Sequence, residues 1–478
     1  MDDKKINQGL LWSIGPQFFT YTLSLVFTAV LSRLVLPAEY GLFNLVSTVT
    51  AFFMVFADGG IVWSIVSKKE IKDQEVINLY WINVLIGGLM SVTCILIAPF
   101  VVAFYGYEEL KQLLPVMGLN FLITGFTVPG TMWLKRGLLL KKLAIINLLS
   151  LIIGGVVGIL AAKNGFGYWS LAIQALTKST LTMLAIHTVS GMPMGWFSRK
   201  THVGTMLRFS GGLLGFGAVN YFSRNLDNVV IGKFAGVEEL AFYAKAYFLM
   251  TLPSMLTTAG LSGMMVALLA RYQDDKVKFQ GYYKNALRLV TLLCCPIAGY
   301  FFTFPEDVIL LFYGEQWLMA APLLQVLAIA CLTQPMHNTM GWLFTASGQS
   351  RKMFHWGCFA AIFLSAGFLV GAQWGAIGVA ISYTVVMGLC LTLGALKVAH
   401  SAAGIKLWPS IKYLLLVLVS SIFALLITFF IDKILNQELQ LLSRIFIRST
   451  LLVIAYAAML LFFYRSQFFN LFKLKTTS

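Results

Sequence analysis

The sequence predicts an all-α polytopic membrane protein of about fourteen transmembrane helices. Two six-helix lobes in parallel pseudo-repeat account for twelve of them, and two further helices follow at the C-terminal end. Three observations carry this expectation: the length of the apolar runs, the alternation of basic residues from gap to gap, and short motifs that recur about 200 residues apart.

Of 478 residues, 59% are hydrophobic and only 11% charged, against roughly 25% charged in soluble domains. A helix needs about 20 apolar residues to cross a hydrocarbon core of ~30 Å. Stretches of that kind lie near 10–32, 41–66, 77–104, 113–134, 143–162, 168–189 and 206–232. Seven more lie near 239–268, 285–304, 320–346, 354–371, 376–396, 408–431 and 443–464. Too little chain remains for a soluble domain. That argues against a receptor, a membrane-tethered enzyme or a polymerase with a large external loop.

Lys and Arg decide the orientation. Both ends and every second gap carry two or more of them, whereas each intervening gap carries one at most. Short basic loops stay on the cytoplasmic side. The unbroken alternation predicts an even number of crossings and two cytoplasmic termini. A net charge of +16 is spread over eight cytoplasmic segments, so it reads as a topology signal and as contact with anionic membrane lipid. No nucleic-acid motif accompanies it, and no nucleic-acid partner is expected. The opening Met1-Asp2-Asp3-Lys4-Lys5 is not the basic start of a cleaved signal peptide. The first apolar run reads as a permanent span.

The domain expectation is a first lobe over 1–200, a second over 201–400, and an appended pair of helices with a cytoplasmic tail over 401–478. The first span ends in Pro37-Ala38-Glu39-Tyr40-Gly41, and the seventh in Val237-Glu238-Glu239-Leu240-Ala241. Phe104-Tyr105-Gly106 is echoed by Phe312-Tyr313-Gly314, and Lys141-Lys142 by Arg351-Lys352. Gly165-Phe166-Gly167 is echoed by Gly375-Ala376-Ile377-Gly378. Their common order is the signature of an internal repeat. Six spans separate the copies, so the repeat is parallel, as in transporters whose halves face each other across a central cavity. Pro253 and Pro335, near span centres, are expected to bend their helices. The six cysteines all lie in apolar runs with no CxxC or Cys/His spacing, which suits small packing residues.

Several motifs resemble a known family. They are Asp58-Gly59-Gly60 downstream of Pro37–Gly41, Gly165-Phe166-Gly167-Tyr168-Trp169-Ser170-Leu171-Ala172, Phe209-Ser210-Gly211-Gly212, and Asn225-Leu226-Asp227-Asn228-Val229-Val230-Ile231-Gly232-Lys233. Together they are similar to the Wzx-type polysaccharide flippases, in the colanic acid exporter-like branch of the multidrug/oligosaccharidyl-lipid/polysaccharide transporter superfamily. The resemblance covers roughly residues 7 to 400. One departure is Val266-Ala267-Leu268-Leu269-Ala270-Arg271, where the family shows a Phe-Pro-Ala-like turn. The resemblance implies a bundle of twelve or fourteen helices that moves undecaprenyl-diphosphate-linked oligosaccharide across the bacterial inner membrane. Membrane lipids surround such a protein, and a polymerase and glycosyltransferases of the same pathway are possible partners. Rival readings are a drug/cation antiporter of the same superfamily and a flippase for the peptidoglycan lipid precursor.

A charge at the bilayer centre costs about 2.5–3.5 kcal/mol on insertion scales, so deep charges face a cavity or a partner. Five lie deep: Asp58, Lys178, Arg224, Asp227 and Lys245. Arg224, Lys178 and Lys245 are the candidate substrate-binding cations, because a guanidinium or ammonium matches phosphate oxygens. Arg224 and Asp227 are three apart and either pair with each other or serve the cavity together. Lys178 either faces the cavity or pairs with an acid, and Lys245 either faces it or snorkels. Asp58 is read either as a coupling site for H⁺ or Na⁺ or as a cap on a Gly59-Gly60 break. His337 and Asn338 form a polar lining or a proton relay after Pro335. Gln17, Asn44, Asn220 and Asn225, with Gln174 and Gln334, either bond sugar hydroxyls or bond neighbouring helices. Arg444 and Arg448 read as interface residues that snorkel. No catalytic constellation and no P-loop is present, so the chain is expected to be no enzyme, to need no cofactor and to bind no metal.

Overall fold

A computed structural model describes residues 3–57, 64–68, 70–198, 221, 225–435 and 440–472. Among them there is no strand. In lipid a helix satisfies its own backbone hydrogen bonds, which is why apolar runs of this length adopt it. The chain separates into two compact units, Met1–Ala241 and Phe242–Ser478.

The first unit contains α1 (Asp3–Leu34), α2 (Pro37–Ala57), the short α3 (Ser64–Ser67), α4 (Asp73–Tyr105), α5 (Leu110–Arg136), α6 (Leu140–Lys163) and α7 (Tyr168–Val189). A further helix, α8, covers 225–234. Pairs α4/α5 and α6/α7 form the framework, with α1 on α6, α5 on α7 and α2 on α5. Small residues let the backbones meet. A Cβ on Gly87 would lie 2.4 Å from the Phe121 carbonyl oxygen, and one on Gly125 2.9 Å from that of Asn83. Across the same seam the Asn83 amide donates to the Gly125 carbonyl at 3.1 Å. Close approach of this kind drives helix association in lipid, where burial of apolar surface gives no net gain. Gly87→Ala is expected to destabilise the first unit by about 1–3 kcal/mol, because the obstacle is backbone and cannot swing aside. The readout is the thermal unfolding midpoint in detergent; an unchanged midpoint contradicts the close seam.

Basic residues of the gaps between helices also do local structural work. At the end of α5, one Arg136 guanidinium nitrogen donates to the carbonyls of Ile65 and Lys68, at 2.6 Å each, and so holds α3. Residues 190–198 fold back on the start of α4. Asn78 exchanges two hydrogen bonds with the Ser198 backbone, at 2.6 and 2.9 Å, and Trp81 stacks on Trp196.

The second unit contains most of α9 (Val237–Arg271), then α10 (Lys276–Thr303), α11 (Pro305–Phe312), α12 (Ala320–Ala346), α13 (Ser350–Gly371) and α14 (Gly375–Tyr383). A π-helical segment (Thr384–Leu391) leads into α15 (Thr392–Ala402), followed by α16 (Leu407–Leu435) and α17 (Leu441–Phe472). One core cluster of the unit runs from Met265 and Leu269 through Tyr283, Val290, Met340 and Leu343 to Ala399. Asp275 caps α10 by accepting from the Lys278 N–H at 3.1 Å. That bond, with the nearby Lys278 charge, holds its carboxyl below the ordinary value. The last two helices, which the sequence sets apart as an appended pair, pack within the second unit. α16 packs on α10 and α17 on α16, around Cys295, Val417, Leu452 and Tyr456.

Seven described stretches are long and apolar enough to cross a membrane, or eight if the two limbs of α9 form one span. One of the seven, Arg351–Ser401, is 51 residues long and holds the eleventh and twelfth predicted spans. Predicted spans 168–189 and 320–346 are α7 and α12, of 22 and 27 residues. Polar side chains such as Gln174, Lys178, Gln334 and Asn338 lower their apolar character.

The bend expected at Pro253 requires correction. α9 does bend, by 44°, but between Val237–Thr258 and Leu261–Arg271, beyond Pro253. A proline kink falls on the N-terminal side of the ring, where the carbonyl four residues back is displaced. Hydroxyl back-bonds, which compete with the helical ladder, lie on both sides of the bend. Thr257 donates to the Pro253 carbonyl, Thr258 to that of Ser254 and Ser262 to that of Thr258, at 2.8, 2.7 and 2.6 Å. α12 runs through a buried Pro335 as one helix.

Candidate functional site

Lys245 lies two turns into α9 and is only 5% exposed. Its ammonium sits 4.9 Å from the ring centre of Tyr313 and 5.0 Å from that of Trp317. Local sequence builds this pocket. Pro305 starts α11, and Gly314 takes a φ of +94°, a left-handed value open to glycine. The turn Glu315–Trp317 then follows, and both aromatic side chains are fully buried. Phe242 meets the Trp317 ring edge-on at 5.9 Å, and the Tyr313 hydroxyl donates to the Lys245 carbonyl at 3.5 Å. A desolvated ammonium over two aromatic faces is a stabilising arrangement, worth up to about 2 kcal/mol. Lys245→Met is expected to cost about that amount or less, since a thioether also packs well on rings. Thermal unfolding of the variant measures it, and a loss of folded protein would contradict the aromatic pocket as the resting place of this charge.

Deeper in the second unit a polar seam joins α9 to α12 and α14. Gln334, Asn338 and Trp342 are four residues apart and share one stripe of α12. Gln334 donates to the Tyr383 hydroxyl at 3.3 Å, Asn338 to the Ser254 hydroxyl at 2.7 Å, and Trp342 to the Ser262 hydroxyl at 3.0 Å. Tyr247 and Tyr383 hydroxyls are 3.4 Å apart. Asn338 thus bridges α12 to α9. His337, half-buried, is its neighbour on the same helix. The Gln334 carbonyl oxygen is buried and has no hydrogen-bond partner among the described residues.

In the first unit the polar side chains gather on α2 and α8. Asn44 is half-buried, and its carbonyl accepts from Thr48 at 2.9 Å. The Thr48 carbonyl in turn accepts from the Tyr221 hydroxyl. Asn225 donates to the Tyr221 carbonyl at 3.0 Å. Asp227 is 2% exposed, and its carboxylate accepts from the Asn228 N–H at 2.8 Å. Lys178 lies on α7 with its Cβ side against Gly154, and the side chain is exposed. Asp58, Asn220 and Arg224 lie outside the described residues, as does the side chain of Gln17 on α1. The Arg224–Asp227 spacing therefore stands on sequence alone. No group of three or more His, Cys, Asp or Glu side chains able to hold a metal occurs among the described residues.

Comparison with known proteins decides the family. The profile described as "Polysaccharide biosynthesis protein" matches residues 30–322. The chain belongs to that family. Among its relatives is the "Succinoglycan biosynthesis transport protein ExoT" of Rhizobium meliloti, 23% identical over 77% of this chain and 75% of the relative. Another is the "Lipopolysaccharide biosynthesis protein WzxC" of Escherichia coli, 25% identical over 80% of this chain and 78% of the relative. The fold is that of the solved "Lipid II flippase MurJ, inward closed conformation", with a TM-score of 0.77 at 18% identity, over 95% of this chain and 99% of that one. The multidrug/oligosaccharidyl-lipid/polysaccharide transporter fold expected from the motifs is thus the fold observed.

This family member also carries an ionic cluster that the sequence reading missed. Arg444 and Arg448, expected to snorkel, are instead paired. Arg444 contacts Asp307 at 2.5 Å, Arg448 bonds both Asp307 and Asp432, and the Arg448–Asp432 contacts are 2.6 and 2.8 Å. The Arg448 guanidinium also lies over the Phe304 ring at 4.4 Å. These residues tie α11, α16 and α17 together at the end that the charge pattern assigns to the outside. Asp307 and Asp432 were legible only as gap residues, since their partners are over a hundred positions away or in the next helix.

Proposed function

We propose that this protein is a flippase for an undecaprenyl-diphosphate-linked oligosaccharide. It works in the bacterial inner membrane, with both termini in the cytoplasm, and serves exopolysaccharide, capsule or O-antigen synthesis. The family match over residues 30–322 carries the reading, and it is supported by relatives whose names place them in succinoglycan transport and lipopolysaccharide synthesis. Transport runs by alternating access, which exposes the substrate site to one side of the membrane at a time. The glycan and diphosphate enter the site while the polyprenyl tail stays in lipid.

Two phosphate charges cannot pass a low-dielectric region uncompensated. Arg224 is the principal compensating charge and Asp227 holds it in place. Lys178 adds charge from α7. Lys245 reaches a phosphate only after leaving Tyr313 and Trp317, so its share comes in a second conformation. Asn44, Asn220, Asn225 and Gln17 meet sugar hydroxyls, and His337 and Asn338 support the second unit. Asp58 couples turnover to inward H⁺ or Na⁺. The polymerase and glycosyltransferases of the pathway deliver and consume the substrate.

The test uses the full protein in vesicles with a labelled undecaprenyl-diphosphate oligosaccharide. Accessibility of the glycan to impermeant periodate reports crossing. Crossing well above that of protein-free vesicles is expected. Efflux of a cationic dye with no glycan crossing would instead support the antiporter. In the same assay, Asp58→Asn is expected to abolish the dependence on an ion gradient while leaving the protein in the membrane. Normal crossing with unchanged ion dependence contradicts the coupling role.

A further inference from the structure

We propose that the second unit holds an anionic glycerophospholipid of the cytoplasmic leaflet in the groove between α13 and α15. The groove has a volume of about 310 Å³ and is lined by Lys352, His355, Trp356, Phe359 and Val398. It lies outside the candidate transport residues, and the argument does not depend on what the protein carries.

The groove itself is almost wholly apolar, and its basic side chains stand exposed at its edge. Lys352 and His355 are exposed at the cytoplasmic start of α13. Neither α13 nor α15 contains a single Asp or Glu, so no carboxylate on either wall competes for the two basic side chains. Below them an aromatic ladder descends the same helix. Trp356 and Phe359 have ring centres 5.4 Å apart, and Phe359 and Phe363 4.5 Å apart. Phe359 and Phe363 are 45% and 51% exposed. Gly394 on α15 leaves room for the indole: a Cβ there would lie 2.5 Å from the Trp356 ring. From Lys352 to Phe363 the helix rises about 16 Å, close to half of a ~30 Å hydrocarbon core. That is the depth of one leaflet. A phosphate at the two bases with an acyl chain along the ladder satisfies both ends of the groove. Basic clusters between membrane helices on the cytoplasmic side take anionic head groups for the same electrostatic reason.

Native mass spectrometry of the full-length protein in detergent tests this, with phosphatidylglycerol and phosphatidylcholine of identical acyl chains. Phosphatidylglycerol is expected to bind about tenfold more tightly, and Lys352→Gln with His355→Gln is expected to remove that preference. Phe359→Ala is expected to weaken both lipids together, because it shortens the acyl path. Lys406→Gln, a cytoplasmic base outside the groove, should change neither. Equal binding of the two lipids, or an unchanged preference in the double variant, overturns the proposal. Displacement of phosphatidylglycerol by undecaprenyl phosphate at equal mole fraction overturns it too, and assigns the groove to the carrier lipid.

Discussion

Glycan crossing is expected to fall to background in Arg224→Ala, while the protein remains in the membrane. A diphosphate crossing a low-dielectric site needs fixed positive charge, and a guanidinium supplies paired donors that match phosphate oxygens. Each hydrogen bond to a charged group is worth about 1.5–3 kcal/mol, so the loss of two predicts a fall of at least about a hundredfold. Arg224→Lys is expected to restore part of the activity, since the charge survives and the fork does not. The neighbourhood complicates a single substitution. Asp227 is buried three residues on, and removing one member of a pair leaves the other uncompensated. The double variant Arg224→Ala with Asp227→Ala separates the cases. If it folds and transports normally, the pair is structural and Arg224 is not the phosphate site. If it folds and stays inactive, the phosphate role stands.

Much of the fold was legible because its causes are local. Apolar length and basic gaps act segment by segment, and α4, α5, α6, α10 and α16 fall where those signals put them. The repeat motifs gain a physical meaning in the structure. Gly106 and Gly314 adopt φ of +86° and +94° after their helices, and Gly165, Gly167 and Gly375 are positive too. They mark chain reversals that suit glycine, which is why weakly similar motifs recur in the same order. The candidate site was less legible because its residues depend on partners far away in sequence. Nothing near Lys245 announces Tyr313 and Trp317, about 70 positions on, so an ammonium on two rings was indistinguishable from one facing substrate. Asn338 is bonded to Ser254, 84 positions away, a contact that the sequence does not announce.

Arg448→Ala is expected to destabilise the second unit by about 3–5 kcal/mol, the usual cost of leaving a buried charge without its partner. Arg448 bridges two acids on different helices, Asp307 on α11 and Asp432 on α16. The side chain of Asp307 is only 4% exposed, so water cannot replace the lost guanidinium there. Arg444 still pairs with Asp307, but Asp432 loses the only salt-bridge partner found for it among the described residues. Contact with Phe304 is lost as well. Thermal unfolding in detergent measures the effect, and high salt should change it little, because buried pairs are poorly screened. Asp432→Ala supplies the control. If Arg448 and Asp432 act as one unit, the double variant costs clearly less than the sum of the singles. Additive costs, or a salt-sensitive effect as small as that of an exposed pair, would return Arg448 to an interface residue and leave α17 held by its apolar contacts alone.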